Sequence, residues 1–159
     1  MSDFSVRRIV TSHDGNGQAV VRTDDQLPSQ ELSPTAQSVL LWSTDVFPSD
    51  NNDETDGAKP GVGLVSPGGT VFMITNMAPH SESPAHRTVS LDYGIVLDGE
   101  IDLVLDDGST TRVRRGEVVV QRGTIHGWNN PLDVPCVMAF VLVDANPVKV
   151  GDTELGEQF

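Results

Sequence analysis

The sequence predicts an all-β fold in a single domain. Short apolar segments of strand length alternate with turn-forming residues along the chain, and no amphipathic helix is recognisable. Asp-Gly pairs close two of these segments, at Asp98-Gly99 and Asp107-Gly108, which is typical of tight β-hairpins. Short strands joined by such turns favour a sandwich or a barrel.

The N-terminal part, residues 1–62, is predicted to be an extension of the same domain. Residues 5–10 and 18–23 resemble short strands around a turn-rich segment, which predicts an N-terminal β-hairpin. Strand character returns at residues 38–42. Residues 47–62 are rich in Pro, Gly, Asn and acidic residues, which favours an exposed, mobile loop, and their spacing is not that of an EF-hand calcium site.

The barrel itself is predicted for residues 63–146, followed by a loose C-terminal tail at 147–159. Strand-like residues and turn residues alternate regularly in this part of the chain. The predicted strands cover residues 70–77, 88–97, 101–105, 110–113, 117–121 and 135–143.

Size, charge and cysteine content limit the possible functions. The chain has 159 residues, enough for one domain with a real core, and a formal net charge of −13. Because so acidic a protein repels nucleic acids and anionic lipids, neither is expected as a partner. No signal peptide or membrane-spanning apolar run is recognisable, so a cytoplasmic protein is expected. The single cysteine, Cys136, excludes an internal disulfide and is predicted to lie in a buried strand.

Two histidines, His86 and His126, belong to the most specific patterns in the chain. Residues 86–99 read H-x-T-x3-D-x6-G, and residues 116–130 read G-x4-Q-R-G-x2-H-x3-N. Both histidines lie in strand-like segments between tight turns, and this layout brings them together inside a small barrel. A barrel mouth of this kind suits either a metal ion or a small substrate surrounded by acid/base groups.

These patterns resemble the two motifs of small single-domain cupins. Those motifs are G-x5-H-x-H-x3,4-E-x6-G and G-x5-P-x-G-x2-H-x3-N; the chain follows their spacings from His86 to Gly99 and from Gly123 to Asn130, with Gln121 in place of the proline. The chain also resembles a cupin subgroup with HRT-x-S-x-DYG and VVVQRGT-x-H-x-W-x-N, which is often linked to secondary metabolism. The resemblance implies a jelly-roll cupin β-barrel with an N-terminal hairpin extension, and a homodimer.

The resemblance also implies the positions of metal ligands, and the chain departs from the family there. Metal-binding cupins use three histidines and a glutamate, and His86 and His126 match two of these positions. Thr88 stands in place of another histidine and Asp92 in place of the glutamate. Two histidines and a carboxylate still suit a facial triad for Fe, Mn, Ni or Zn, with His80 as a further candidate ligand. Two expectations for the cofactor therefore stay open: none, or one divalent metal ion.

Three hypotheses of function follow. The first is a small-molecule enzyme, a lyase or isomerase, in which His86, His126 and Asp92 carry out non-oxidative acid/base chemistry: dehydration, decarboxylation, isomerisation or cyclisation. The second is a metal-dependent oxygenase or lyase, and the third is a non-catalytic barrel that binds a small ligand. The residues expected to contact the substrate are Thr88, Trp128, Arg87 and Arg122.

Overall fold

The computed structural model describes residues 4–159, which form strands, turns and loops. None of the described residues forms a helix with the length and apolarity needed to cross a membrane. The strands are β1 (Ser5–His13), β2 (Ala19–Pro28), β3 (Gln30–Ser33), β4 (Ala36–Thr44), β5 (Thr70–Met77), β6 (Ser81–Glu82), β7 (Ser90–Asp98), β8 (Glu100–Leu105), β9 (Thr110–Arg114), β10 (Val118–Arg122), β11 (His126–Asn130), β12 (Cys136–Asp144), β13 (Val148–Val150) and β14 (Thr153–Leu155).

Two antiparallel sheets enclose a common interior. The larger sheet has the strand order β10-β7-β12-β5-β4-β3 and the smaller has the order β6-β11-β8-β9. One apolar cluster joins Val96 and Met138 of the larger sheet to Ile101, Val113 and Trp128 of the smaller one. This arrangement confirms the all-β jelly-roll barrel.

Strand β7 gives the barrel interior a polar end and an apolar end. Its buried residues are alternate ones, as expected for a strand with one face inward. Ser90 and Asp92 supply the polar end, and Val96 belongs to the apolar cluster. Between them, Gly94 lets the Phe140 ring approach closely, because a Cβ at position 94 would lie 3.1 Å from that ring. The candidate site lies at the polar end.

The N-terminal part contributes to the barrel more than its composition indicates. The hairpin is present as β1 and β2, with strands longer than predicted. Strands β3 and β4 lie in the large sheet, where β4 pairs with β5, so the barrel sheet starts well before residue 63. The acidic segment 47–62 contains no strand, as predicted.

The C-terminal end differs from the loose tail that the sequence predicts. Strands β13 and β14 form a hairpin. Beyond it, the backbone N–H of Arg87 donates to the Gln158 carbonyl at 2.8 Å, and that of Gln158 donates to the Arg87 carbonyl at 3.0 Å. These pairings join residues far apart in the chain, so local sequence patterns do not reveal them.

Buried Arg8 ties the N-terminal hairpin to the rest of the domain. Its guanidinium donates to Asp25 on β2 at 2.7 Å, to Asp56 in the acidic loop at 2.6 Å and to the Leu41 carbonyl on β4 at 3.2 Å. The hydrogen bond from Arg8 is the main reason that the pKa of Asp56 falls to about 2. One side chain thus connects three segments of the chain.

Replacing Arg8 tests this connection. We expect Arg8→Ala to lower the free energy of unfolding by about 2 kcal/mol, because it removes hydrogen bonds from a buried cation to carboxylates and a buried carbonyl. Arg7→Ala is the matched control: it breaks an exposed ion pair with Asp24 in the same hairpin and should have a much smaller effect. Equal losses for the two variants in urea unfolding would contradict this role for Arg8.

Candidate functional site

His86 and His126 lie side by side at the polar end of the barrel. The backbone N–H of each residue donates to the carbonyl of the other, at 2.9 and 3.0 Å, in an isolated antiparallel bridge. Their imidazole centroids are 4.5 Å apart and their ring planes are tilted by 56°. The fold therefore brings together the two histidines that the sequence singles out.

Both imidazoles are held in the same tautomer by backbone carbonyls. Nδ1 of His86 lies 3.0 Å from the Pro84 carbonyl oxygen, and Nδ1 of His126 lies 3.0 Å from that of Thr124. Because a carbonyl oxygen can only accept, each Nδ1 carries the hydrogen and donates it. In the neutral ring, Nε2 then keeps a lone pair with which to accept a proton or another donor.

His126 is neutral at physiological pH. Its side chain is buried, and this burial lowers its pKa to about 4. Two weaker effects oppose each other: the bond to Thr124 raises the pKa, and the neighbouring His86 lowers it. His86 is only half-buried, so the pair joins a shielded imidazole to a more accessible one.

Asp92 lies in a buried cluster of hydroxyl groups. The Ser90 hydroxyl lies 2.5 Å from Asp92 Oδ1 and 2.8 Å from Thr88 Oγ1, and the Thr88 hydroxyl donates to Asp92 Oδ2 at 3.3 Å. Burial raises the pKa of Asp92, while the bonds from Ser90 and Thr88 and the nearby His86 act in the opposite direction. The hydrogen-bond partners of Asp92 are thus hydroxyls and not the neighbouring arginines.

The two candidate substrate-binding arginines occupy different surroundings. Arg122 is exposed and lines a cleft of about 240 Å³ together with Thr88, Ser90 and Gly123. Arg87 is half-buried; its Nη1 donates to the Gly156 carbonyl at 3.5 Å, and its Nε has no hydrogen-bond partner among the described residues. Arg122 is thus exposed at a cleft that neither histidine lines, whereas the C-terminal segment covers part of Arg87.

Aromatic rings flank the histidine pair on two sides. Trp128 is buried and meets His126 edge-on, with centroids 6.3 Å apart, while its other contact is Phe140 at 5.8 Å. Phe159 stacks on His86 within 9° of parallel at 6.3 Å and stays 76% exposed. Sequence reasoning missed Phe159, because its position depends on the pairing between Gln158 and Arg87.

His80 does not join the pair. It is exposed, has a φ of 52°, and places its Nε2 2.8 Å from the Asp133 carboxylate. In this geometry His80 is bonded to Asp133 and belongs to no group of three potential metal ligands among residues 4–159.

The donor set around the pair does not fit a metal ion. Among residues 4–159, no group of three or more His, Cys, Asp or Glu side chains is arranged to hold a metal ion. The two Nε2 atoms are available, but Asp92 is engaged by Ser90 and Thr88. A facial triad needs a third ligand, and these residues do not supply one.

Comparison with known proteins agrees with this architecture. The family model described as "Cupin domain" matches residues 73–143. The phomopsin biosynthesis cluster protein C' of Diaporthe leptostromiformis is 40% identical over 160 residues, which cover 94% of this chain and 84% of that protein. The chain belongs to the cupin family.

This cupin also resembles a named fungal oxidoreductase in sequence and a bacterial cyclase in fold. The cupin-domain-containing oxidoreductase fogC of Aspergillus ruber is 34% identical to this cupin over 160 residues, covering 94% of this chain and 78% of the relative. In fold, this cupin resembles the polyketide cyclase RemF of Streptomyces resistomycificus, with a TM-score of 0.55, 19% identity, and coverage of 83% of this chain and 78% of RemF. Together with the barrel, the relatives from biosynthesis clusters identify a metabolic cupin.

The lowered pKa of His126 predicts a pH-dependent stability. Between pH 6.5 and about 4, His126 is protonated in the unfolded state and neutral in the folded state. Its contribution to the free energy of unfolding is therefore fully present above pH 6.5 and is lost as the pH falls through 4. The loss attributable to His126 should be about 3 kcal/mol. His126→Gln should remove this part of the pH dependence in urea unfolding; equal pH slopes in variant and wild type would contradict the burial argument.

Proposed function

We propose that this cupin is a small-molecule enzyme of secondary metabolism, a lyase or isomerase that moves protons without oxidising its substrate. The observation that carries the proposal is the pair of neighbouring imidazoles, each with Nδ1 bonded to a carbonyl and Nε2 left available. Names of relatives from phomopsin and oryzine biosynthesis clusters support the metabolic setting.

In this proposal His126 is the base and His86 the acid. Neutral His126 accepts a proton from the substrate at Nε2. Because burial disfavours the charged ring, His126 releases that proton readily. The more accessible His86 delivers a proton to a second substrate atom and recovers one from solvent. Removal and return of protons at neighbouring atoms is the chemistry shared by dehydration, isomerisation and cyclisation.

Asp92 and the surrounding side chains complete the proposed site. Asp92 adds a carboxyl group near His86, and His86 acts to lower the pKa of that carboxyl group. Thr88 holds Asp92 in place by its hydroxyl. Trp128 forms an apolar wall behind His126, and Arg122, with Arg87, supplies positive charge for an acidic group on the substrate.

Single substitutions of the histidines test the proposal. His86→Ala and His126→Ala should each reduce turnover of a metabolite that the wild type converts by at least about 100-fold. This is the contribution expected of a positioned acid or base. His13→Ala, in an exposed strand end, is the control and should leave turnover unchanged. The measurement is product formation by mass spectrometry, with circular dichroism confirming the fold of each variant.

The outcome of this test also separates the alternatives. Full activity in both histidine variants would contradict the acid/base proposal. Tight binding of a metabolite with no turnover in the wild type would favour a non-catalytic binding barrel.

A second candidate function, a metal-dependent oxidoreductase, is favoured by the names of relatives such as fogC. Elemental mass spectrometry on untagged protein purified without chelator should find a metal content per chain near zero, because residues 4–159 place no third ligand beside the two histidines. A content near one that is lost in His86→Ala and His126→Ala would favour the oxidoreductase instead.

We also propose a homodimer in which the N-terminal hairpin packs on a second copy. One face of the hairpin carries Ile9 and Val21, which are 53% and 60% exposed. Large exposed apolar side chains in a group favour association. Light scattering should give twice the chain mass at micromolar concentrations, and a single monomeric mass would refute the dimer.

A further inference from the structure

The side-chain amide nitrogen of one buried glutamine at the polar end of the barrel has no hydrogen-bond partner among residues 4–159. Gln121 on β10 faces the interior, is 4% exposed, and lies directly across from Asp92 on β7. Its Nε2 has no acceptor among the described residues. A buried donor without a partner disfavours the folded state, so its presence calls for a specific explanation.

Two of the other buried polar atoms without a partner have an explanation that Gln121 lacks. Gln37 Oε1 and Asn76 Oδ1 belong to residues paired across β4 and β5, so rotating either amide end for end lets one donate to the other. Gln121 lies across from a carboxylate, and both oxygens of Asp92 already accept hydroxyl groups.

We propose that Gln121 is a substrate-binding residue whose amide donates a hydrogen bond to an oxygen of the substrate. The inference rests on the proposed function, since it places that oxygen beside Asp92 in the same barrel. The acceptor that fits an uncharged amide donor is a carbonyl oxygen.

The position of this donor defines the substrate class as small carbonyl compounds with a proton on the adjacent carbon. When the C–H bond breaks, the proton goes to Nε2 of His126 and the electron pair forms a carbon–carbon double bond. The negative charge moves to the carbonyl oxygen, where the Gln121 amide stabilises it. A preorganised donor at an oxygen that gains charge lowers the barrier to such a step.

Binding of a simple diketone tests the proposal without knowledge of the natural substrate. The probe is 2,4-pentanedione, titrated into isotope-labelled protein and followed by NMR at the Gln121 side-chain amide. Gln121→Met keeps the approximate size of the side chain, removes the donor, and should weaken probe binding at least about 10-fold. Thr75→Val is the matched control: it also removes a buried polar group without a partner, but on β5 opposite Met138, and should leave probe binding unchanged.

Thermal unfolding of the unliganded variants supplies a second, independent readout. Because each variant removes a buried polar group that has no hydrogen-bond partner in the described part of the chain, neither should melt below the wild type. A lower melting temperature for Gln121→Met would show that the amide bonds to Asp92 and is structural, which overturns the proposal. Equal probe affinity in Gln121→Met and wild type, or no saturable binding to the wild type, would overturn it as well.

These outcomes are distinguishable from failure of the acid/base proposal. Probe binding is measured without turnover, so a wild type that binds 2,4-pentanedione through Gln121 but converts no metabolite would refute the enzyme and leave the binding role intact. Turnover that depends on His126 but not on Gln121 would support the acid/base proposal and refute the role of Gln121.

Discussion

Burial of one imidazole is the constraint on which the site depends. His126 lies between the Trp128 edge and the His86 ring, shielded from water, and this burial lowers its pKa to about 4. The backbone bridge between His86 and His126 fixes the pair, and the Pro84 and Thr124 carbonyls fix both tautomers. Backbone geometry and burial thus hold His126 as a neutral imidazole whose Nε2 lone pair is available.

The barrel interior has a polar end and an apolar end, which lie at different positions along the same strand. Along β7, the inward positions change from Ser90 and Asp92 to Gly94 and Val96. The apolar end supplies the packing that holds the sheets together, and the polar end concentrates titratable groups. Burial raises the pKa of Asp92, and the hydrogen bonds from Ser90 and Thr88 act in the opposite direction. Asp92 thus differs from the ion-paired acids of the surface such as Asp24.

Local sequence patterns predicted most of the barrel. The strand at 70–77 was predicted at its observed bounds, because alternating apolar residues end at clear turns. The buried Cys136 is also confirmed, and burial raises its pKa to about 11. The pairing of His86 with His126 follows from motif spacing, since motif and barrel geometry are linked.

Local sequence patterns could not predict the contacts between segments that lie far apart in the chain. The C-terminal hairpin and the position of Phe159 depend on pairing with Arg87, far away in the chain. The direction of His80 is set by a positive φ and by Asp133, and neither is visible in the spacing of histidines. Gln121 was noticed only as a departure from a motif; its significance comes from burial and from the absence of a hydrogen-bond partner among the described residues.

The most direct test of this account is nitrogen NMR of the two imidazoles across a pH titration. His126 is expected to stay neutral, with its hydrogen on Nδ1, from pH 7 down to about 4. A His126 that titrates near its ordinary value of 6.5, or that carries its hydrogen on Nε2, would contradict a shielded base at the centre of the site.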